Sequence, residues 1–214
     1  MPSIKACLFD LDGVIVDTAK FHYIAWRRLA NDLGFDLTLE QNEQLKGISR
    51  MESLDIILSI GGITLSKEER LARATEKNLR YLELCKQMTP NDVLPGVRTF
   101  MDELKQLSIP MGLGSASKNA TIILNSIDML RYFDTIVDGN RITKGKPDPQ
   151  VFLMGAEDLQ TKPENCAVFE DAVAGIQSAK SAGMLAVGIG VKTVLAEADI
   201  VIAGFEGFKF ADLH

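Results

Sequence analysis

Ile4-Lys5-Ala6-Cys7-Leu8-Phe9-Asp10-Leu11-Asp12-Gly13 is the stretch on which the reading turns. A short apolar run stops abruptly at Asp10, the pattern of a buried strand that ends in a polar loop. From Phe21 to about Leu33 the period becomes helical, with Ile24, Leu29 and Leu33 apolar and Arg27 and Arg28 outward. Thr38-x-x-Gln41 and Ser66-x-x-Glu69 have the form of capping boxes and predict helices over about Gln41–Ile60 and Lys67–Met88, the first broken by Gly61-Gly62. No strand signal interrupts this helical stretch. After Pro90 the texture alternates. Apolar runs at Ile109–Leu113, Thr135–Val137, Cys166–Phe169, Leu185–Ile189 and Ile200–Ile202 are separated by helical patterns near Val97–Leu107, Lys118–Leu130, Pro149–Leu159 and Ala172–Ala182. Such alternation implies a parallel sheet covered on both faces. The first strand must rejoin that sheet across the helices. The expected fold is therefore α/β, a Rossmann-like parallel-sheet core (residues 1–17 and 91–214) with an inserted α-helical cap (residues 18–90).

Composition supports a globular reading. The chain has 214 residues, 46% hydrophobic and 24% charged, and a formal charge of −6, ordinary for a folded protein and not for a disordered one. The acidic balance disfavours nucleic acid and anionic membrane as partners. Cys7, Cys85 and Cys166 are scattered and odd in number, which suits a reducing compartment and neither a disulfide framework nor a zinc site. The longest clean apolar run, Met184–Val191, is far below the roughly 18 residues of a membrane span. No long apolar stretch precedes Asp10. A cytoplasmic, soluble monomer is the expectation.

Open α/β sheets bind ligands beyond the carboxyl ends of their strands. Those ends carry Asp10-Leu11-Asp12-Gly13, then Ser115-Ala116-Ser117-Lys118-Asn119, then Lys146-Pro147, then Glu170-Asp171. Each has an ordinary explanation alone: a turn, an N-cap, a solvated loop, a helix cap. Their coincidence at one edge points to phosphoryl transfer. A carboxylate can attack phosphorus and form an aspartyl phosphate. Clustered carboxylates and a phosphate suit Mg²⁺. Lysine and helix-start donors neutralise and hold the phosphoryl oxygens.

Taken in order, Asp10-Leu11-Asp12-Gly13-Val14, Ser115, Lys146-Pro147 and Glu170-Asp171-x-x-x-Gly175 resemble the four-part signature of the haloacid dehalogenase superfamily. The resemblance implies Asp10 as nucleophile and Asp12 as general acid/base. It implies Ser115 and Lys146 on the transferring phosphate. It also implies Mg²⁺ held by Asp10, the Asp12 carbonyl, Glu170 and Asp171.

Further residues are similar to the sugar-phosphate mutase branch of that superfamily: Thr18, His22 and Trp26, then Lys46-Gly47-Ile48 and Arg50, then Ala116-Ser117-Lys118-Asn119. A mutase must grip a second phosphate while the first reacts. Arg50 offers a planar fork for it, and Lys46, Gly47, Ile48, Ser117, Lys118 and Asn119 would complete that site. His22 and Trp26 share a helix face. They read either as packed interior or, with Thr18, as the coupling between cap closure and Asp12. Lys77-Asn78 is weakly similar to the same branch, which implies a reach into the sugar site; the ordinary reading is a solvated lysine on a helix face. The implied activity is Mg²⁺-dependent interconversion of β-D-glucose 1-phosphate and glucose 6-phosphate, through an aspartyl phosphate and β-glucose 1,6-bisphosphate. The competing readings are a phosphatase of a small sugar phosphate or phosphoglycolate, and a receiver-like module that signals by phosphoaspartate. The loop Asp138–Lys144 departs from the family text, and no role is read there.

Overall fold

The computed structural model describes residues 3–45 and 48–213. Six parallel strands form one sheet: β1 (Ala6–Phe9), β2 (Met111–Gly114), β3 (Thr135–Val137), β4 (Cys166–Glu170), β5 (Leu185–Ile189) and β6 (Ile200–Ile202). Their order is β3-β2-β1-β4-β5-β6, so β1 lies at the centre. Among the described residues five α-helices fall between β1 and β2: α1 (Ala19–Asp32), α2 (Leu39–Glu43), α3 (Arg50–Gly61), α4 (Lys67–Cys85) and α5 (Val97–Gln106), the last leading into β2. The remaining helices, α6 (Ala120–Ser126), α7 (Gln150–Asp158) and α8 (Val173–Ser181), alternate with the later strands.

Side chains of a strand alternate between faces, and the two faces of β1 feed two cores. Cys7 and Phe9 pack with Phe100, Phe169 and Phe205, whereas Ala6 and Leu8 pack with Phe152, Val168 and Ile176. Phe9 stacks on Phe169 at 4.8 Å between ring centres, which locks β1 against β4, the two strands whose ends carry the acidic residues. Phe205 and Phe208, near the end of the chain, close this aromatic cluster over Phe100. A third core, with Trp26, Leu29, Leu37, Leu54, Ile57 and Ala74, is built within α1, α3, α4 and their links. No helix among the described residues is long and apolar enough to cross a membrane.

Both expected capping boxes are formed, at Thr38–Gln41 and Ser66–Glu69. Gly62 ends α3 in the left-handed region, at φ +63°. The helix expected over Gln41–Ile60 is instead two helices. The reason is a third capping box: Ser49 Oγ accepts the Glu52 N–H at 3.3 Å and Glu52 Oε2 accepts the Ser49 N–H at 3.0 Å. A helix newly capped at Ser49 cannot run through it, because a cap residue has extended backbone. The segment Lys118–Leu130 similarly shortens to α6 followed by a 3₁₀ turn at Leu130–Tyr132.

Candidate active site

The loop after β1 turns sharply, with Gly13 N–H donating to Val16 O (2.8 Å) and Ile15 N–H to Leu11 O (3.0 Å). Gly13 adopts φ +81°, and a Cβ there would lie 2.1 Å from Asp171 Oδ2. Glycine thus permits both the turn and the approach of the β4-end carboxylate to the β1 loop. The backbone N–H of Asp12 donates to Asp10 Oδ2 at 2.9 Å and fixes that carboxylate's orientation.

Lys146 reaches the same point from the loop after β3. Its Nζ donates to Asp10 Oδ1 at 2.5 Å, Glu170 Oε1 at 2.5 Å and Gly114 O at 3.0 Å, and the side chain is buried. Burial opposes its charge, but Asp10 and Glu170 overcome that cost and hold its pKa above the ordinary lysine value. Glu170 is held from its other oxygen by the Ala172 N–H (2.9 Å). A Cβ on Gly175 would lie 1.9 Å from the Glu170 carboxyl, which is the physical content of the Glu170-Asp171-x-x-x-Gly175 spacing. Gly175→Ala is therefore expected to push Glu170 off Lys146. Denaturant unfolding should show a loss of about 1–3 kcal/mol, the usual cost of overpacking.

Four carboxylates, those of Asp10, Asp12, Glu170 and Asp171, face this one lysine. Burial, then Glu170, Asp10 and Asp12, push Asp171 up to about 8. Burial and then Asp10 push Asp12 up to about 8. Among the described residues no three side chains already converge as a metal cage. The hard-oxygen donor set and its excess negative charge nonetheless fit a hard divalent cation.

Ser115, at the end of β2, is buried, and its Oγ accepts the Ser117 N–H at 3.2 Å. The loop that departs from the family text now has a function in the fold. Asn140 Nδ2 donates to Lys118 O at 3.1 Å, the Gly139 N–H donates to Ser117 O at 3.2 Å, and a Cβ on Gly139 would meet the Ala116 carbonyl oxygen at 2.3 Å. The loop braces Ser115–Asn119 from behind, while Arg141 is tied away to Asp158 at 2.7 Å.

On the helical side, Thr18 is buried and its Oγ1 donates to Asp12 Oδ1. Lys77 is also buried, so the reading of a solvated lysine fails. Its Nζ lies 2.9 Å from His22 Nδ1 and 4.3 Å from the centre of the Trp26 ring. Burial, then Arg50, push the Lys77 pKa down to about 7. Burial, then Lys77 and Arg50, hold His22 well below the ordinary histidine value. Tyr81, whose ring centre lies 4.1 Å from that of His22, completes this cluster. The sequence reasoning passed it over, although it stands four residues after Lys77 on the same helix face. The guanidinium of Arg50, at the start of α3, is paired with no carboxylate among the described residues, and burial depresses its pKa.

A cavity of about 440 Å³ joins these groups. Its lining includes Asp10, Asp12, Ser115, Lys146, Glu170 and Asp171 from the sheet edge. The helices supply His22, Trp26, Arg50 and Lys77, the loop before α3 supplies Ile48, and the loop after β2 supplies Ala116, Ser117, Lys118 and Asn119. Thr18 stands behind Asp12 and outside the lining. Lys46 and Gly47 lie outside the described residues. Asn78 also lines the cavity, beside Lys77.

Comparison with known proteins gives the family of the chain. Residues 4–183 match the haloacid dehalogenase-like hydrolase family. The chain is 44% identical to a beta-phosphoglucomutase of Bacillus subtilis, over 99% of this chain and 94% of that one. It is 34% identical to a phosphorylated carbohydrates phosphatase of Thermotoga maritima, over 85% and 82% of the two chains. A crystal structure of beta-phosphoglucomutase from Clostridium difficile superimposes with a TM-score of 0.95 at 45% identity, covering 98% of this chain and 95% of that one.

Proposed function

The chain belongs to the haloacid dehalogenase-like hydrolase family, and from that premise we propose that it interconverts β-D-glucose 1-phosphate and glucose 6-phosphate by phosphoryl transfer through Asp10. The observation that carries the choice of a mutase is Arg50. A half-buried guanidinium without an anionic partner, opening on the same cavity as Asp10 and Lys146, calls for a second anion. Residues 18–90 act as the cap and residues 1–17 with 91–214 as the catalytic core.

Asp10 attacks phosphorus and becomes an aspartyl phosphate. Lys146 and the donors around Ser115 and Ser117 neutralise and orient the phosphoryl oxygens. Asp12, largely protonated near neutral pH, donates to the departing sugar oxygen and takes the proton back when the sugar hydroxyl attacks. Thr18 fixes the carboxyl of Asp12 for both tasks. Arg50, with Lys118 and Asn119, grips the phosphate that is not reacting. The bisphosphate must then turn end for end between the two sites. Asp10, Glu170, Asp171 and the Asp12 carbonyl would hold Mg²⁺, which when bound supplies positive charge for the transferring phosphoryl group. Closure of the helices excludes water and protects the phosphoenzyme.

The test is phosphorus NMR of β-glucose 1-phosphate with Mg²⁺ and a trace of the bisphosphate. Glucose 6-phosphate with little free phosphate is expected. Stoichiometric free phosphate instead would make the protein a sugar-phosphate phosphatase. Arg50→Ala is expected to lower mutase kcat/KM by about 100-fold or more, the loss of charge-assisted hydrogen bonds worth about 1.5–3 kcal/mol each. Hydrolysis of acetyl phosphate, which has no second phosphate, should fall far less. Equal loss in both assays would contradict the assignment.

A further inference from the structure

A side-chain hydrogen bond ties α4 to the loop after β2: Asn119 Nδ2 donates to Asn78 Oδ1 at 2.8 Å. Asn78 stands on α4 directly after Lys77, and Asn119 is 7% exposed at the start of α6. Two neighbouring residues of one helix therefore face two parts of the site. Lys77 joins the His22 cluster whose charge acts on Asp12, and Asn78 holds the loop that carries Ser117 and Lys118.

We propose that Asn78 is a positioning residue that latches the helical insertion over the core and orients the Asn119 amide toward the second phosphate. The inference rests on the mutase reading above. A side-chain amide carries two N–H donors on one nitrogen and an acceptor oxygen opposite. Asn78 takes one donor, which fixes the amide and leaves the other N–H for the cavity shared with Arg50, Ser117 and Lys118. The reversed amide would set oxygen against Asn78 Oδ1 and turn an acceptor toward an anion. The main-chain N–H of Asn119 is already engaged, donating to Ser117 Oγ at 3.2 Å, so it cannot take over the work of the side chain. When the helices lift away the bond breaks, and the amide loses its orientation at the same moment. Closure and capture of the second phosphate are thus one event.

The experiment compares Asn78→Ala, Asn119→Ala and the double variant with the parent. Alanine is the better helix former, so α4 itself should not weaken. In substrate-free protein, hydrogen–deuterium exchange of the amides in 115–119 and 48–53 is expected to speed up at least about 5-fold in Asn78→Ala. Asn78→Asp, which keeps the acceptor oxygen, should restore much of that protection. In turnover, KM for β-glucose 1-phosphate should rise about 10-fold, the usual scale for one lost hydrogen bond, and the share of phosphoryl groups released to water should grow. The double variant should be no worse than Asn119→Ala alone. Unchanged exchange in Asn78→Ala, or losses that multiply in the double variant, would overturn the proposal. Exchange is read without substrate, so it decides the latch even if the parent makes no glucose 6-phosphate, a result that would sink the mutase reading alone.

Discussion

Asp10→Asn will slow turnover of β-glucose 1-phosphate by about 10⁴-fold or more, and the trapped protein will carry no phosphoryl group. Loss of a covalent nucleophile removes a step for which the remaining groups cannot substitute. Asparagine is nearly isosteric. Its Oδ1 can still accept from Lys146 Nζ, and Lys146 keeps Glu170 at 2.5 Å and Gly114 O at 3.0 Å. The fold should therefore survive, as circular dichroism and thermal unfolding would show, and the kinetic loss would report chemistry. Mass spectrometry of peptides from the parent, quenched during turnover, should place the label within the β1 loop at Asp10. A label on another residue would overturn the mechanism.

Asp12→Asn should cost about 10²- to 10⁴-fold in kcat, the usual contribution of a positioned general acid/base. Its pH signature separates it from Asp10. The ordinary carboxyl pKa is near 4, and burial with Asp10 nearby lifts Asp12 to about 8. At pH 7 the folded protein keeps the proton and can donate it. Steps that need the acid should fade above about pH 8, and this limb should vanish in Asp12→Asn. Lys77, pushed down to about 7, titrates nearby and is the control to be varied in parallel. The same shift has a stability sign. Between about pH 4 and 8 the folded state binds more protons at Asp12 than the unfolded chain, so this group lowers stability as pH rises through that window. Asp12→Asn should consequently melt closer to, or above, the parent at pH 8 than at pH 5, while being far less active at both. A variant that loses activity and stability together at pH 8 would contradict the assignment.

Much of this was legible in the chain because strand ends in a parallel sheet point to one edge. Four short runs of sequence, spread from Asp10 to Asp171, fall at that edge by topology alone. The two capping boxes at Thr38 and Ser66 were readable from local chemistry, and so was the one at Ser49, which the apolar pattern across Gln41–Ile60 concealed. What could not be read was burial of polar groups. Lys77 carries the same four-carbon stem as any surface lysine, and only the rings of Trp26 and Tyr81 beneath its ammonium reveal where it lies. The bracing of Ser115–Asn119 by Gly139 and Asn140 was likewise invisible, since it depends on two strand ends meeting across β2 and β3.

The position of β1 in the strand order has a wider meaning. It is one of the two central strands of six, and the long helical excursion leaves the sheet directly after it. A segment spliced at that junction starts within a few residues of Asp10 and returns to the sheet at the neighbouring strand β2. If α1–α4 act as the proposed cap, a protein engineer building chimeras could exchange that segment to retarget the proposed phosphate chemistry while keeping the scaffold beneath.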